Sequence, residues 1–165
     1  MSIDLTLELT RPISLKPLLP KIAEVLADML GVRPVPKLTL DMLENGERLV
    51  AESDELRDRS SPLFLISIAG EPETVGVLAG CASLCVEMGA ARTNLEYALG
   101  AAVAIQLARE LGVCIDDNWG FYSERAETSA DGLFAVLRVP GPGSDLQEAA
   151  EQLTGRIDRV ERGSG

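Results

Sequence analysis

A chain of 165 residues, 46% of them hydrophobic, is long enough for one domain with a substantial buried core. Its net charge of -11, from 26 acidic against 15 basic residues, argues against binding to nucleic acid or to anionic membrane surfaces, both of which are held by lysine and arginine clusters. There is no histidine, which excludes imidazole acid–base work, His-based nucleophilic triads and His metal ligands.

Residues 2–10 alternate cleanly, with Ile3, Leu5, Leu7 and Leu9 on one face and Asp4, Thr6, Glu8 and Thr10 on the other, the pattern of a half-buried strand. No basic segment followed by an apolar one precedes it, so no signal peptide is expected and a cytoplasmic protein is. Arg11-Pro12 breaks the strand, and Ser14 is placed to cap a helix whose first turn tolerates Pro17 and Pro20. Ile22, Val25, Leu26, Met29 and Leu30 form its apolar stripe, Gly31 ends it, and residues 32–36 with two prolines form an extended connection.

Residues 37–43 alternate through Leu38, Leu40 and Met42. Asn45-Gly46 then signals a two-residue hairpin, because both residue types tolerate positive φ, and residues 48–52 are the returning strand. Residues 53–61 read as a charged loop or short helix, and the wider segment 41–58, with seven acidic residues, as a solvated or contact face. The run LFLISIA within residues 62–69 is bounded by Gly70-Glu71-Pro72-Glu73, and residues 74–79 pair back against it. Residues 80–91 suit a helix through Cys81, Leu84, Cys85 and Met88, or a strand through Ala82, Leu84 and Val86. A strand reaching about Val86 is preferred.

The chain is organised around residues 93–117, TNLEYALGAAVAIQLARELGVCIDD. Thr93 and Glu96 make a capping box. Apolar or small residues then fill nearly every position up to Leu111, leaving a thin polar stripe of Glu96, Gln106 and Glu110. Such a helix must be covered on most of its circumference, by the rest of the chain or by a second copy, so a homodimer is compatible with it. Gly112 ends the helix, and Val113-Cys114-Ile115 reads as a strand ending at Asp116-Asp117. An aromatic patch at Trp119, Phe121 and Tyr122 follows, then polar residues 123–131. GLFAVLRV at residues 132–139 reads as a final strand. After the break at residues 140–143, Ser144 caps a last helix with Leu146, Ala149, Ala150, Leu153 and Ile157 on one side. The expected fold is a single α+β domain: a mostly antiparallel sheet of about six or seven strands with three helices, one of them central and largely buried.

Cys81, Cys85 and Cys114 are odd in number and lack secretory context, which points to reduced thiols, each read as a small buried hydrophobe. Phosphate-cradling glycine loops are absent. Asp116-Asp117, with Glu124 and Glu127 near in sequence, is the one carboxylate group placed to hold Mg²⁺ or to act as acid and base. Adjacent residues on a strand face opposite ways, however, so a shared site needs a bend there. Accordingly no catalytic, cofactor-binding or metal-binding residue is assigned. The candidate partner-binding set is Asp116, Asp117, Trp119, Phe121 and Tyr122, since aromatics beside charges are enriched at recognition surfaces.

SIAG at residues 67–70, LARELG at 107–112 and VCIDD at 113–117 together resemble small cytoplasmic α+β proteins of bacteria, some of them immunity proteins that neutralise partner toxins. The resemblance implies a non-enzymatic inhibitor, and the acidity is compatible with a basic protein partner drawn in by complementary charge. The alternatives are a carboxylate-based Mg²⁺ enzyme using Asp116, Asp117 and Glu124, and a homo-oligomeric structural subunit.

Overall fold

The computed structural model describes residues 4–49, 54–57, 62–89, 92–117, 120–122, 127–143 and 145–163. Its strands are β1 (Asp4–Glu8), β2 (Ile13–Ser14), β3 (Leu38–Glu44), β4 (Glu47–Leu49), β5 (Glu55–Leu56), β6 (Leu63–Ile68), β7 (Thr74–Ala79), β8 (Ser83–Met88), β9 (Ile115–Asp116) and β10 (Glu127–Thr128). The helices are α1 (Leu19–Leu30), α2 (Asn94–Leu111), α3 (Ala130–Leu137) and α4 (Leu146–Gly163). Eight strands form one antiparallel sheet in the order β10-β9-β1-β8-β7-β6-β3-β4, and β2 pairs with β5 in a small separate ribbon. The fold is α+β, as the sequence pattern indicates. Because β8 and β9 both run antiparallel to β1, they are parallel to each other, and α2 crosses between them with β1 inserted.

Strand parity decides which side chains meet the helices. In β6 the buried set is Phe64, Ile66 and Ile68, and in β8 it is Leu84, Val86 and Met88. Leu5 and Leu7 continue this inner face in β1, and Ile115 in β9. Against it lies α2, which touches β1, β7, β8 and β9 on one side and α1, α3 and α4 on the other. Fifteen of its 18 residues are buried, so the cover this helix requires comes from the same chain. Burial of Leu95, Leu99, Val103, Ile105 and Leu107, each fully enclosed, stabilises the fold by about 1.5–3 kcal/mol per side chain. The capping box forms as expected: Thr93 Oγ1 accepts from Glu96 N at 3.2 Å and Glu96 Oε2 accepts from Thr93 N at 3.3 Å. Asn45 and Gly46 turn β3 into β4 with φ of 52° and 80°.

Several expectations are corrected. Among the described residues there are four helices rather than three, and the main sheet has eight strands rather than six or seven. The extra helix is α3, over most of the segment read as a final strand. Ser129 Oγ accepts from Gly132 N at 3.0 Å to start it, and the buried residues Ala130, Leu133 and Leu137 follow a helical spacing that the strand-like composition hid. Ser14 does not cap α1, because it is paired in β2. A 3₁₀ turn over Lys16–Leu18 leads into that helix, with no side-chain cap on either. Within the charged segment 53–61, Glu55 and Leu56 form β5, fixed by the complete burial of Leu56. The ambiguous segment resolves to strand β8, extending to Met88. Ser144, expected to cap the last helix, lies outside the described residues. Asp145 performs that role, its Oδ1 accepting from Gln147 N at 2.9 Å and from Glu148 N at 3.2 Å.

The cysteines are not core residues either. Cys81 is exposed in the turn between β7 and β8, Cys114 is exposed just before β9, and Cys85 is half-buried because its parity puts it on the outer face of β8. Among the described residues no helix is long and apolar enough to cross a membrane.

Candidate binding surface

The five sequence-derived partner residues separate. Asp116 and Asp117 do face opposite ways: Asp116 is exposed on the outer face of the sheet, and Asp117 is wholly buried. The two carboxylates therefore do not share a site. Trp119 and Glu124 lie outside the described residues.

Asp117 is a turn anchor. Its Oδ1 accepts from Phe121 N at 3.1 Å, its Oδ2 from Tyr122 N at 2.6 Å, and its backbone carbonyl from Gly120 N at 2.9 Å. One carboxylate thus satisfies two donors that a tight turn would otherwise orphan. The turn drives Tyr122 into the core, where its hydroxyl donates to Tyr97 O at 3.0 Å. Tyr97, Phe121 and Tyr122 pack edge-to-face or tilted, with ring centroids 4.7, 5.1 and 6.4 Å apart. Burial pushes the Tyr122 phenol well above its ordinary value, and the Asp117 charge adds to that. Asp117 and Tyr122 thus hold the chain after β9 rather than face solvent, and Phe121 is half-buried beside them.

The surface the sheet presents is its outer face. Register aligns one row across five strands, Glu127–Asp116–Thr6–Cys85–Leu78, and another at the far side of the sheet, Leu63–Leu43–Arg48. The next row is Asp4–Glu87–Gly76–Leu65–Asp41. The two halves differ in chemistry. On β10, β9, β1 and β8 the outer residues include Glu127, Asp116, Asp4, Glu8 and Glu87, and none of these strands carries a lysine or arginine. On β7, β6 and β3 the outer residues include Leu78, Leu63, Leu65 and Leu43, of which Leu78 is 36% exposed. The cation beside the apolar side, Arg48, is neutralised, its Nη2 lying 2.5 Å from Asp41 Oδ2.

At the seam between the halves, one ligand atom each from Asp4, Cys85 and Glu87 lies within 4.8 Å of the others, all three side chains half-buried. A thiol with two carboxylates is a donor set that Zn²⁺ accepts, with one position left for water. Burial, then the charges of Asp4 and Glu87, push the Cys85 thiol up to about 12, and burial followed by Asp4 raises Glu87. Crowding of acidic groups at the seam thus disfavours their charged forms.

Apart from Asp116, these outer-face residues are missed by reading the sequence, which shows parity within one strand but not which strands are neighbours. The signal was present in β1, where Asp4, Thr6 and Glu8 were assigned to the wet face. No family model matches the chain, and no curated protein or solved structure matches it.

Proposed function

We propose that the chain is a non-enzymatic protein-binding domain, an inhibitor of the immunity type, that engages a basic protein partner through the acidic half of its sheet. The observation that carries this reading is the gathering of Asp4, Glu8, Glu87, Asp116 and Glu127 on one face of four adjacent strands that hold no lysine or arginine. Fields from like charges on one face add and steer an oppositely charged surface toward it, with an on-rate that falls as salt rises. Phosphate backbones and anionic lipids meet the opposite of attraction here. Of the residues selected from sequence, Asp116 belongs to this surface, and Asp117, Phe121 and Tyr122 support it by fixing the chain that follows β9. The test is retention of a basic protein from lysate by the immobilised chain at about 50 mM salt, with loss at about 500 mM. Equal retention by a variant with Glu87, Asp116 and Glu127 all changed to Lys would overturn the reading.

A further inference from the structure

We infer that the leucine half of the same sheet face is the second part of the docking surface. Its occupant is a basic partner carrying an apolar patch roughly 15–20 Å from a lysine- or arginine-rich one, a separation set by the strand spacing. This inference rests on the protein-binding reading above and adds the chemistry and spacing of the partner.

Leu43, Leu63, Leu65 and Leu78 come from three adjacent strands: Leu63 lies opposite Leu43, Leu65 is one row along opposite Gly76, and Leu63 and Leu78 each stand one residue beyond the Phe64–Val77 pair that ends the β6–β7 ladder. Parity points them away from the core, Leu78 being exposed and Leu43, Leu63 and Leu65 half-buried. Scattered single leucines on a surface need no explanation, but a contiguous group marks a contact site. Gly76 sits between Leu65 and Glu87 in its row. Lacking a side chain, it leaves a shallow dip that Leu63 overhangs, since a Cβ there would meet Leu63 Cδ1 at 3.1 Å. Beyond the other end of the patch lies a cleft of about 410 Å³, lined by Leu43, Leu63 and Pro62 together with Glu44 and the Asn45-Gly46 turn.

Two occupants compete for such a patch, a second copy of the chain and a different protein. Charge decides between them. The patch is continuous with the acidic half, so a second copy placed on it brings another acidic half of a -11 chain close to the first. A basic partner meets leucines with its apolar patch and carboxylates with its cations. From β6 to β9 the sheet crosses four strand spacings, about 19 Å at ~4.8 Å each, which sets the separation of the partner's two patches.

The experiment uses two synthetic peptides of identical composition on the intact chain. One has a leucine-rich block and a lysine-rich block joined by six Gly/Ser residues, and the other has the same residues interleaved. Binding is read by fluorescence anisotropy against wild type, Leu78→Lys, Leu65→Thr and the triple variant with Glu87, Asp116 and Glu127 changed to Lys. Leu78→Lys and Leu65→Thr change outward-facing positions, and circular dichroism confirms that each folds. Expected is about tenfold tighter binding of the block peptide, weakened at least about fivefold by either leucine variant and by the triple variant. Equal affinity of the two peptides, weakened only in the triple variant, would overturn the leucine half and leave the acidic reading standing. No binding by either peptide would overturn both. Self-association of wild type that Leu78→Lys abolishes would assign the patch to a second copy and overturn the commitment to a basic partner.

Discussion

Replacing Asp117 by alanine tests whether this residue is a structural anchor. The side chain is fully buried and accepts from two backbone N–H groups, one of them, at Tyr122, also fully buried. Hydrogen bonds to a charged acceptor contribute about 1.5–3 kcal/mol each, and an orphaned buried donor costs about 1–3 kcal/mol. Phe121 is only half-buried, so water replaces part of what its N–H loses, and the expected destabilisation is about 2–4 kcal/mol. An Asp117→Asn variant keeps one carbonyl acceptor but turns an amide toward the second N–H, and should lose about half as much. Urea unfolding followed by circular dichroism reads this directly. With an m-value of about 2 kcal/mol/M, Asp117→Ala lowers the midpoint by about 1–2 M at unchanged m, and Asp117→Asn by about half that. A midpoint shift under about 0.3 M for Asp117→Ala would refute the anchoring role.

Other predictions follow from single contacts. Thr93→Ala removes the N-cap of α2 and the hydroxyl that donates to Glu73 Oε1 at 3.3 Å, and should cost about 1–2 kcal/mol by urea unfolding. An effect below about 0.5 kcal/mol would show the cap to be dispensable. Ala82 holds φ of 55° in the β7–β8 turn, a region that favours glycine, so Ala82→Gly should raise stability by about 0.5–1 kcal/mol. A loss of stability would contradict this. Cys81 and Cys114 are exposed, so at pH 8 a neutral alkylating reagent should modify both ahead of Cys85, Cys114 more slowly because desolvation and then the Glu127 carboxylate raise its thiol. Cys85, raised from 9.0 to about 12, should lag by about a hundredfold or more and speed up as pH rises toward that value. Mass spectrometry of the alkylated peptides reads the order, and Cys85 reacting as fast as Cys81 would contradict it.

How far the sequence carried the fold depends on how local each cue was. The capping box at Thr93, the Asn45-Gly46 turn and the Gly112 stop are each contained in a few residues, and all are present in the structure. The α+β class followed from alternation in β1 and β3 and the β-branched and aromatic run of β6, beside the apolar run of α2. Non-local determinants stayed hidden. GLFAVLRV has a strand's composition but lies mostly in a helix, because Ser129 starts it and only Leu133 and Leu137 of that helical stretch find the core. Leu56 marks a strand only once its partner Ile13 is known. The candidate surface depended still more on pairing: no short window reveals that Asp116, Thr6, Cys85 and Leu78 form one row. Asp116 was selected for being next to Asp117, whereas what places it on the surface is its pairing with Thr6 and Glu127.

The central claim is that the acidic half of the open sheet face engages a basic protein. Its most direct test is parallel capture from source-cell lysate on the wild-type chain and on the variant with Glu87, Asp116 and Glu127 all replaced by Lys, with quantitative mass spectrometry at low and high salt. One basic protein enriched on wild type at low salt, released at high salt and lost from the variant is the result expected. The same proteins on both columns, or none on either, would contradict it.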